Sequence, residues 1–331
     1  MKRTMDHEFA FGPVPSRRLG RSLGINNLPP KICSYACIYC QLGSTIKMQI
    51  ERQHFYPADD VVSAVQQKVD GIRQRGERID YLTFVPDGEP TLDLALGRMI
   101  RDLQSLRVKI AVITNASLLW QQEVRDALAL ADWVSVKVDA VRPESWRRLN
   151  RPHGSLELDA ILEGMLTFAG SFGGDLMTET MLIDGINDRH ADLTELADFL
   201  GQLTPQISYL AIPTRPPAES WVRPSPPDRI NRAYLMVSDK IAHAELLLGY
   251  EGDAFSASGN SKQDLLSITA VHPMRQSAVH KLLKHNGEDW QVVNDLVAAG
   301  KLVELSSKGE RYYLRALPTR HASSRTTKGG H

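Results

Sequence analysis

Cysteine is almost missing from this 331-residue chain: three occur, and all lie between positions 33 and 40. An odd number in one short cluster excludes a disulfide framework. Long apolar runs are missing as well, since none approaches the roughly 20 residues that cross a bilayer. The N-terminal MKRTMDHEFAFG has no secretory apolar stretch, so a cytoplasmic chain without a membrane anchor is expected. Charge of one sign is also lacking, with 39 Lys+Arg against 39 Asp+Glu, which argues against a wholly basic nucleic-acid coat. What is present suits a globular protein with a real core: 42% hydrophobic and 24% charged residues. The length fits roughly two domains, or one large α/β barrel with an appendage.

Short apolar, β-branched runs alternate with amphipathic stretches. Strands are expected at 22–26, 79–85, 109–113, 133–138, 175–183 and 207–212. Helices are expected at 58–75, 93–105, 119–130, 157–170 and 190–202, and a further one at 228–247. Repeated strand–helix units of this length imply a parallel sheet with right-handed crossovers, curling into an open or partial barrel. Chemistry then belongs at the C-terminal ends of the strands. A Pro-rich passage, PTRPPAESWVRPSPPD, follows position 212; it is either a linker or a lid over the barrel mouth.

The last quarter differs. Residues 263–317 read as three short helices and a hairpin around Ser306-Ser307-Lys308-Gly309, the pattern of a winged helix. The expected division is 1–250 for the barrel, 251–262 for a linker, 263–318 for the winged-helix-like domain and 319–331 for a disordered tail. From 262 onward there are 11 Lys+Arg and 6 Asp+Glu, so the chain's neutrality hides a basic end and an acidic body.

Cys33, Cys37 and Cys40 follow the first strand through Pro29-Pro30. Scattered buried cysteines would not cluster in this way, which leaves a metal site or a redox site. Structural zinc normally takes four ligands in two separated pairs, and no second pair exists. Three cysteines leave one iron of a [4Fe–4S] cube without a protein ligand, where a substrate or cosubstrate can bind.

Cys33-x-x-x-Cys37-x-x-Cys40, with Tyr39 just before the third cysteine, resembles the signature of the radical S-adenosylmethionine (SAM) superfamily. The resemblance covers about residues 10–245. It implies a partial (β/α)6 TIM-like barrel, an enzyme with a [4Fe–4S] cluster and SAM as cofactors, and hydrogen abstraction by a 5′-deoxyadenosyl radical. It also implies an external electron donor such as flavodoxin or ferredoxin. Asp87-Gly88-Glu89-Pro90 is similar to the family's G-G-E-P segment, which binds the methionine amino group, with Asp87 in place of the first glycine. Glycine allows close backbone approach, Glu89 accepts from an ammonium and Pro90 fixes the turn; an ordinary turn is the plainer reading. Thr114 and Asn115, ending the third strand, are either methionine or ribose contacts or a strand cap. Ser135, Lys137 and Asp139 alternate on one face of the fourth strand. Ser135 is then a cofactor contact, with Lys137 and Asp139 as catalytic residues or a structural ion pair. Tyr39 packs against the cluster, and Asn187 borders the adenine.

The run GPVPSRRLGRSLGIN and the segment Leu149-Asn150-Arg151-Pro152-His153-Gly154 look like the branch of Fe–S oxidoreductases related to the tRNA wyosine synthases. No cysteines remain for a second cluster, so the radical chemistry is carried over and the wyosine reaction is not. Lys137 could form an imine only if desolvated. Arg17, Arg18 and Arg21 either bind a substrate carboxylate or phosphate or form a salt-bridged edge. His153 reads as a loop residue. The resulting expectation is a radical SAM enzyme acting on an RNA base, peptide or protein presented by the winged-helix domain. The alternative is a non-catalytic, cluster-bearing nucleic-acid regulator.

Overall fold

The computed structural model describes residues 9–16, 18–248, 260–271, 274–307 and 309–316. The body begins with β1 (Ala10–Ser16), β2 (Gly20–Ile25), β3 (Ile32–Cys33), β4 (Lys47–Met48), α1 (Ala58–Gln74) and β5 (Tyr81–Phe84). It continues with α2 (Leu96–Leu103), β6 (Lys109–Thr114), α3 (Gln122–Leu128), β7 (Trp133–Lys137), α4 (Pro143–Asn150) and α5 (Leu158–Ser171). It ends with β8 (Asp175–Met181), α6 (His190–Leu203), β9 (Ile207–Ala211), α7 (Pro227–Ser238) and β10 (Ala244–Leu247). The rest comprises α8 (Ser261–Val271), β11 (Met274–Arg275), α9 (Gln276–Asn286), α10 (Gln291–Ala298), β12 (Leu302–Ser307) and β13 (Glu310–Arg315).

One eight-stranded sheet runs β1-β2-β5-β6-β7-β8-β9-β10. From β2 to β10 neighbours are parallel, and β1 lies antiparallel on β2 at one edge. The six expected strands are β2 and β5 to β9. Helix α1 shows why the outer layer forms: Val61, Val65, Val69 and Ile72 recur at three- and four-residue spacing and are buried, and Asp59 and Asp60 sit at its positive end. These residues pack with Leu23, Leu82, Phe84, Ile110, Val112, Val134 and Leu210 from the strands. The opposite strand face supplies Ala111, Trp133, Met177, Tyr209 and Leu247, and Leu19 from the β1–β2 turn closes this inner cluster. The chemistry-bearing groups therefore lie above an apolar floor.

Three elements depart from the sequence reading. The single helix expected over 228–247 is α7 followed by β10, because residues 244–247 pair with β9 as a further parallel strand and this pairing overrides the helical period. Strand β1, with Pro13 and Pro15, is an edge strand, the position where missing amide donors are tolerated. Helix α4, within 143–150, was not expected. Its start is signalled by Pro143 in the first turn.

Residues beyond 260 build a separate apolar cluster from Leu265, Ile268, Met274, Val279, Leu283, Val293, Leu296 and Tyr313. Their strands form a three-stranded antiparallel sheet, β11-β13-β12. This part meets the body at the β1 edge, where Val14 packs against its cluster, and Tyr312 Oη donates to the Thr214 carbonyl at 3.2 Å. Most of the expected linker and all of the expected tail (319–331) lie outside the described residues.

Candidate functional site: the cysteine loop and barrel lumen

Cys33 ends β3, which pairs with β4 in a short parallel ladder, and Cys37 and Cys40 lie on the loop between them. The end of α4 and the segment after it staple this loop from one side. Ala36 N–H donates to Asn150 O and Ile38 N–H to Leu149 O, both at 3.0 Å, and His153 N–H donates to Ser34 O at 2.9 Å. Tyr35 also bridges to Pro152. The Leu149–Gly154 motif thus holds the loop through its backbone, and His153 lies in a loop. The Pro-rich passage packs back on the same loop: Glu219 N–H donates to Ile38 O at 3.0 Å, and Val222 joins Ile38, Leu149 and Ile183 in one apolar cluster.

Each thiol has its own side-chain N–H partner. Asn115 Nδ2 lies 3.4 Å from Cys33 Sγ, Asn150 Nδ2 3.4 Å from Cys37 Sγ, and Lys31 Nζ 3.5 Å from Cys40 Sγ. Burial, with Glu89 and Cys37 nearby, pushes the Cys33 thiol up. Burial with Asp139 nearby pushes Cys37 up to about 12. Thiolates at Cys33 and Cys37 are thus costly here unless a cation joins them, while the N–H groups at all three sulfurs suit sulfur that carries negative charge. Among the described residues no three Cys, His, Asp or Glu side chains are placed to hold a single metal ion. Corner-wise attachment to different irons needs wider spacing than a single-ion cage. The donor chemistry fits an iron–sulfur cluster.

Beside the loop lies the turn 87–90. A Cβ on Gly88 would stand 2.2 Å from the Ile32 carbonyl oxygen, so only glycine lets the turn lie against the cysteine strand. Glu89 is 1% exposed. Its Oε1 accepts from Thr91 N–H (3.1 Å), Thr91 Oγ1 (2.6 Å) and Thr114 Oγ1 (2.6 Å), and its Oε2 accepts from Asn115 N–H at 2.7 Å. Burial nonetheless raises its pKa against these donors. Pro90 opens a short 3-10 turn, and its carbonyl accepts from Asn27 Nδ2 at 3.1 Å. Thr114 and Asn115 therefore join Glu89 and Cys33 in one buried network, and Asn115 also donates to Ser34 Oγ at 2.8 Å.

The lumen holds a second network. Lys137 Nζ lies 2.8 Å from Glu179 Oε1 and 3.7 Å from Asp139 Oδ1, over the Tyr39 ring at 5.0 Å. Tyr39 Oη donates to Asp139 Oδ2, as does Asn150 Nδ2 at 2.8 Å. Arg18 reaches Glu179 at 2.5 Å and stands over Tyr209. Burial opposes charge on both partners of the Lys137–Glu179 pair, yet Asp139 and Glu179 hold the Lys137 pKa up. Lys137 and Arg18 hold Glu179 down at about 2. Lys137 is therefore held as an ammonium between two carboxylates, and this ion pair faces the lumen.

Other expected residues are not brought to this set. Ser135, fully buried, sits one pleat below Lys137 with no hydrogen-bond partner at Oγ. Asn187 uses its side chain on the backbone, donating to Asp139 O and Met181 O and accepting from Ile183 N–H. Of the three arginines, Arg18 and Arg21 are both salt-bridged and point to different places. Arg21 pairs with Glu77 on the surface at the N-terminal end of β2, away from the strand ends that carry the cysteine loop, because its strand register turns it outward. Arg18 enters the lumen to reach Glu179, and Arg17 lies outside the described residues. Sequence reasoning missed Lys31 and Asn150 as sulfur partners. Asn150 lies inside the motif that pointed to the branch, while Lys31 had only its place before Ile32-Cys33 to mark it.

Residues 27–200 match the family model described as "Radical SAM superfamily". The chain therefore belongs to the radical SAM superfamily and is an enzyme with a [4Fe–4S] cluster and SAM as cofactors. It is similar to UPF0026 protein MJ1312 of Methanocaldococcus jannaschii, 43% identical over 313 residues, covering 94% of this chain and 97% of that one. Among solved structures, a radical SAM methyltransferase from Sphaerobacter thermophilus is similar at TM-score 0.51 and 21% identity, covering 69% of this chain and 66% of that one. Archaeal TYW1 is similar at TM-score 0.45 and 16% identity, covering 67% and 72%, too remote to speak for a shared reaction. No helix among the described residues is long and apolar enough to cross a membrane.

Proposed function

We propose that Cys33, Cys37 and Cys40 hold the [4Fe–4S] cluster and that the turn 87–90, with Thr114 and Asn115, takes the methionine end of SAM. When bound, this pair of cofactors supplies a 5′-deoxyadenosyl radical. The chain's own residues do the rest. Glu89, anchored by the Thr91, Thr114 and Asn115 donors, keeps one lone pair of Oε2 for an ammonium. Gly88 brings the turn against the cysteine strand. Ile38, Val222, Leu149 and Ile183 pack in one apolar cluster that backs the loop on one side. Lys137, Asp139, Glu179 and Tyr39 form the polar wall of the lumen facing a substrate group.

The order α8, β11, α9, α10, β12, β13 reads as a winged helix that brings a polypeptide substrate to the barrel. Helix α10 contains no Lys or Arg, which is poor for reading a nucleic-acid groove, whereas Val297, Val303 and Leu305 are exposed apolar residues on α10 and β12. An external one-electron donor reduces the cluster.

The observation that carries the cofactor assignment is the separate N–H partner at each of the three half-buried sulfurs. Its test is Cys37→Ala, purified and reconstituted without oxygen. The visible iron–sulfur absorbance and the bound iron are expected to vanish; a normal cluster in this variant would contradict the assignment.

A further inference from the structure

Lys31 is 3% exposed, an environment in which an ammonium needs partners on every side. Its Nζ donates to the Gly43 carbonyl at 2.7 Å and to Cys40 Sγ at 3.5 Å, and it lies 3.6 Å from Asp87 Oδ1. The backbone of the same residue is stapled on both sides. Its N–H donates to Asp87 O at 2.5 Å, and its carbonyl accepts from Ile46 N–H at 3.0 Å and Lys47 N–H at 3.1 Å. Its φ of 62° lies in the left-handed region, which a lysine occupies only when such contacts hold it there.

Asp87 is the residue at which this chain departs from the glycine of the similar motif. Its carboxylate is buried, and Oδ1 has no hydrogen-bond partner. The two oddities explain each other: a buried carboxylate calls for a cation, and a buried ammonium calls for an anion. The pair is not symmetric toward the cysteine loop, because it is the ammonium that touches sulfur. A donor and a positive charge at a ligating sulfur favour the more negative, reduced state of a cluster.

We propose that Lys31 is a positioning residue that raises the reduction potential of the cluster through the Cys40 sulfur, with Asp87 limiting how much of the ammonium's charge that sulfur feels. The inference rests on the assignment of the three cysteines as cluster ligands. It concerns electron entry rather than hydrogen abstraction.

The test is an anaerobic potentiometric titration of the reconstituted full chain, read by the EPR signal of the reduced cluster, for wild type, Lys31→Met and Asp87→Asn. The midpoint is expected to shift down in Lys31→Met and up in Asp87→Asn. Such opposite signs do not arise from a merely loosened loop. Unmoved midpoints at full iron content, or shifts of the same sign, would overturn the inference while leaving the cysteine assignment intact. If Lys31→Met takes up no cluster, Asp87→Asn decides alone: an upward shift supports the inference, and an unchanged or lower midpoint overturns it. A wild-type chain that takes up no iron–sulfur cluster overturns both.

Discussion

The cysteine-loop end of the body and the part beyond residue 260 are built in opposite ways. Around the cysteines, polar groups go inside and are used up against one another: Glu89, Asp139, Lys31 and Asn150 are all buried. Beyond residue 260 a small apolar cluster is closed by three helices and a sheet, and Val297, Val303 and Leu305 remain exposed. The family match spans 27–200 and stops well short of this second part. The difference teaches how each part is constrained. A buried polar network tolerates few alternatives, whereas an exposed apolar face is free to suit whatever it meets.

Three perturbations separate the two regions. The largest effect is expected in the lumen. Glu179 is held at about 2 by Lys137 and Arg18 against the opposing pull of burial, from an ordinary value of 4.5. Its ionisation therefore stabilises the fold above pH 4.5, and this contribution is lost as the pH falls toward 2. The loss amounts to up to about 3 kcal/mol. In urea unfolding, the gap between wild type and Glu179→Gln should narrow between pH 6 and pH 3; a constant gap would break the pairing. Next comes Gly88→Ala, which forces the turn away from Ile32 at a cost of about 2 kcal/mol. SAM affinity should fall more than tenfold by calorimetry, in parallel with a lower melting temperature. The smallest is Tyr312→Phe, which removes the hydrogen bond to Thr214. It should cost about 1 kcal/mol and leave SAM binding unchanged; an effect on SAM binding would show that the two regions are coupled.

Much of the body could be read from its periodicity. The six strands and the helices between them follow from apolar spacing, because a parallel strand buried on both faces is a short β-branched run. What escaped was tertiary. Strand β10 exists only because β9 offers it a partner, and β1 carries two prolines that argue against a strand until it is seen at an edge. At the site, Cys33, Cys37 and Cys40 announced themselves by spacing, and Glu89 by its turn. Lys31 and Asn150 did not, since a lone lysine or asparagine carries no sign of what it will touch. Arg18 and Arg21 show the converse. Their nearness in sequence suits one binding set or a salt-bridged edge, but Arg18 pairs with Glu179 in the lumen and Arg21 with Glu77 on the surface.

The most direct measurement is product formation by the reconstituted full chain, with SAM and dithionite under strict exclusion of oxygen, followed by chromatography for 5′-deoxyadenosine. The cysteine loop and the turn at Glu89 predict 5′-deoxyadenosine and methionine in equal amounts, dependent on reductant and absent in Cys37→Ala. Full cluster occupancy with no reductant-dependent cleavage of SAM would contradict the account.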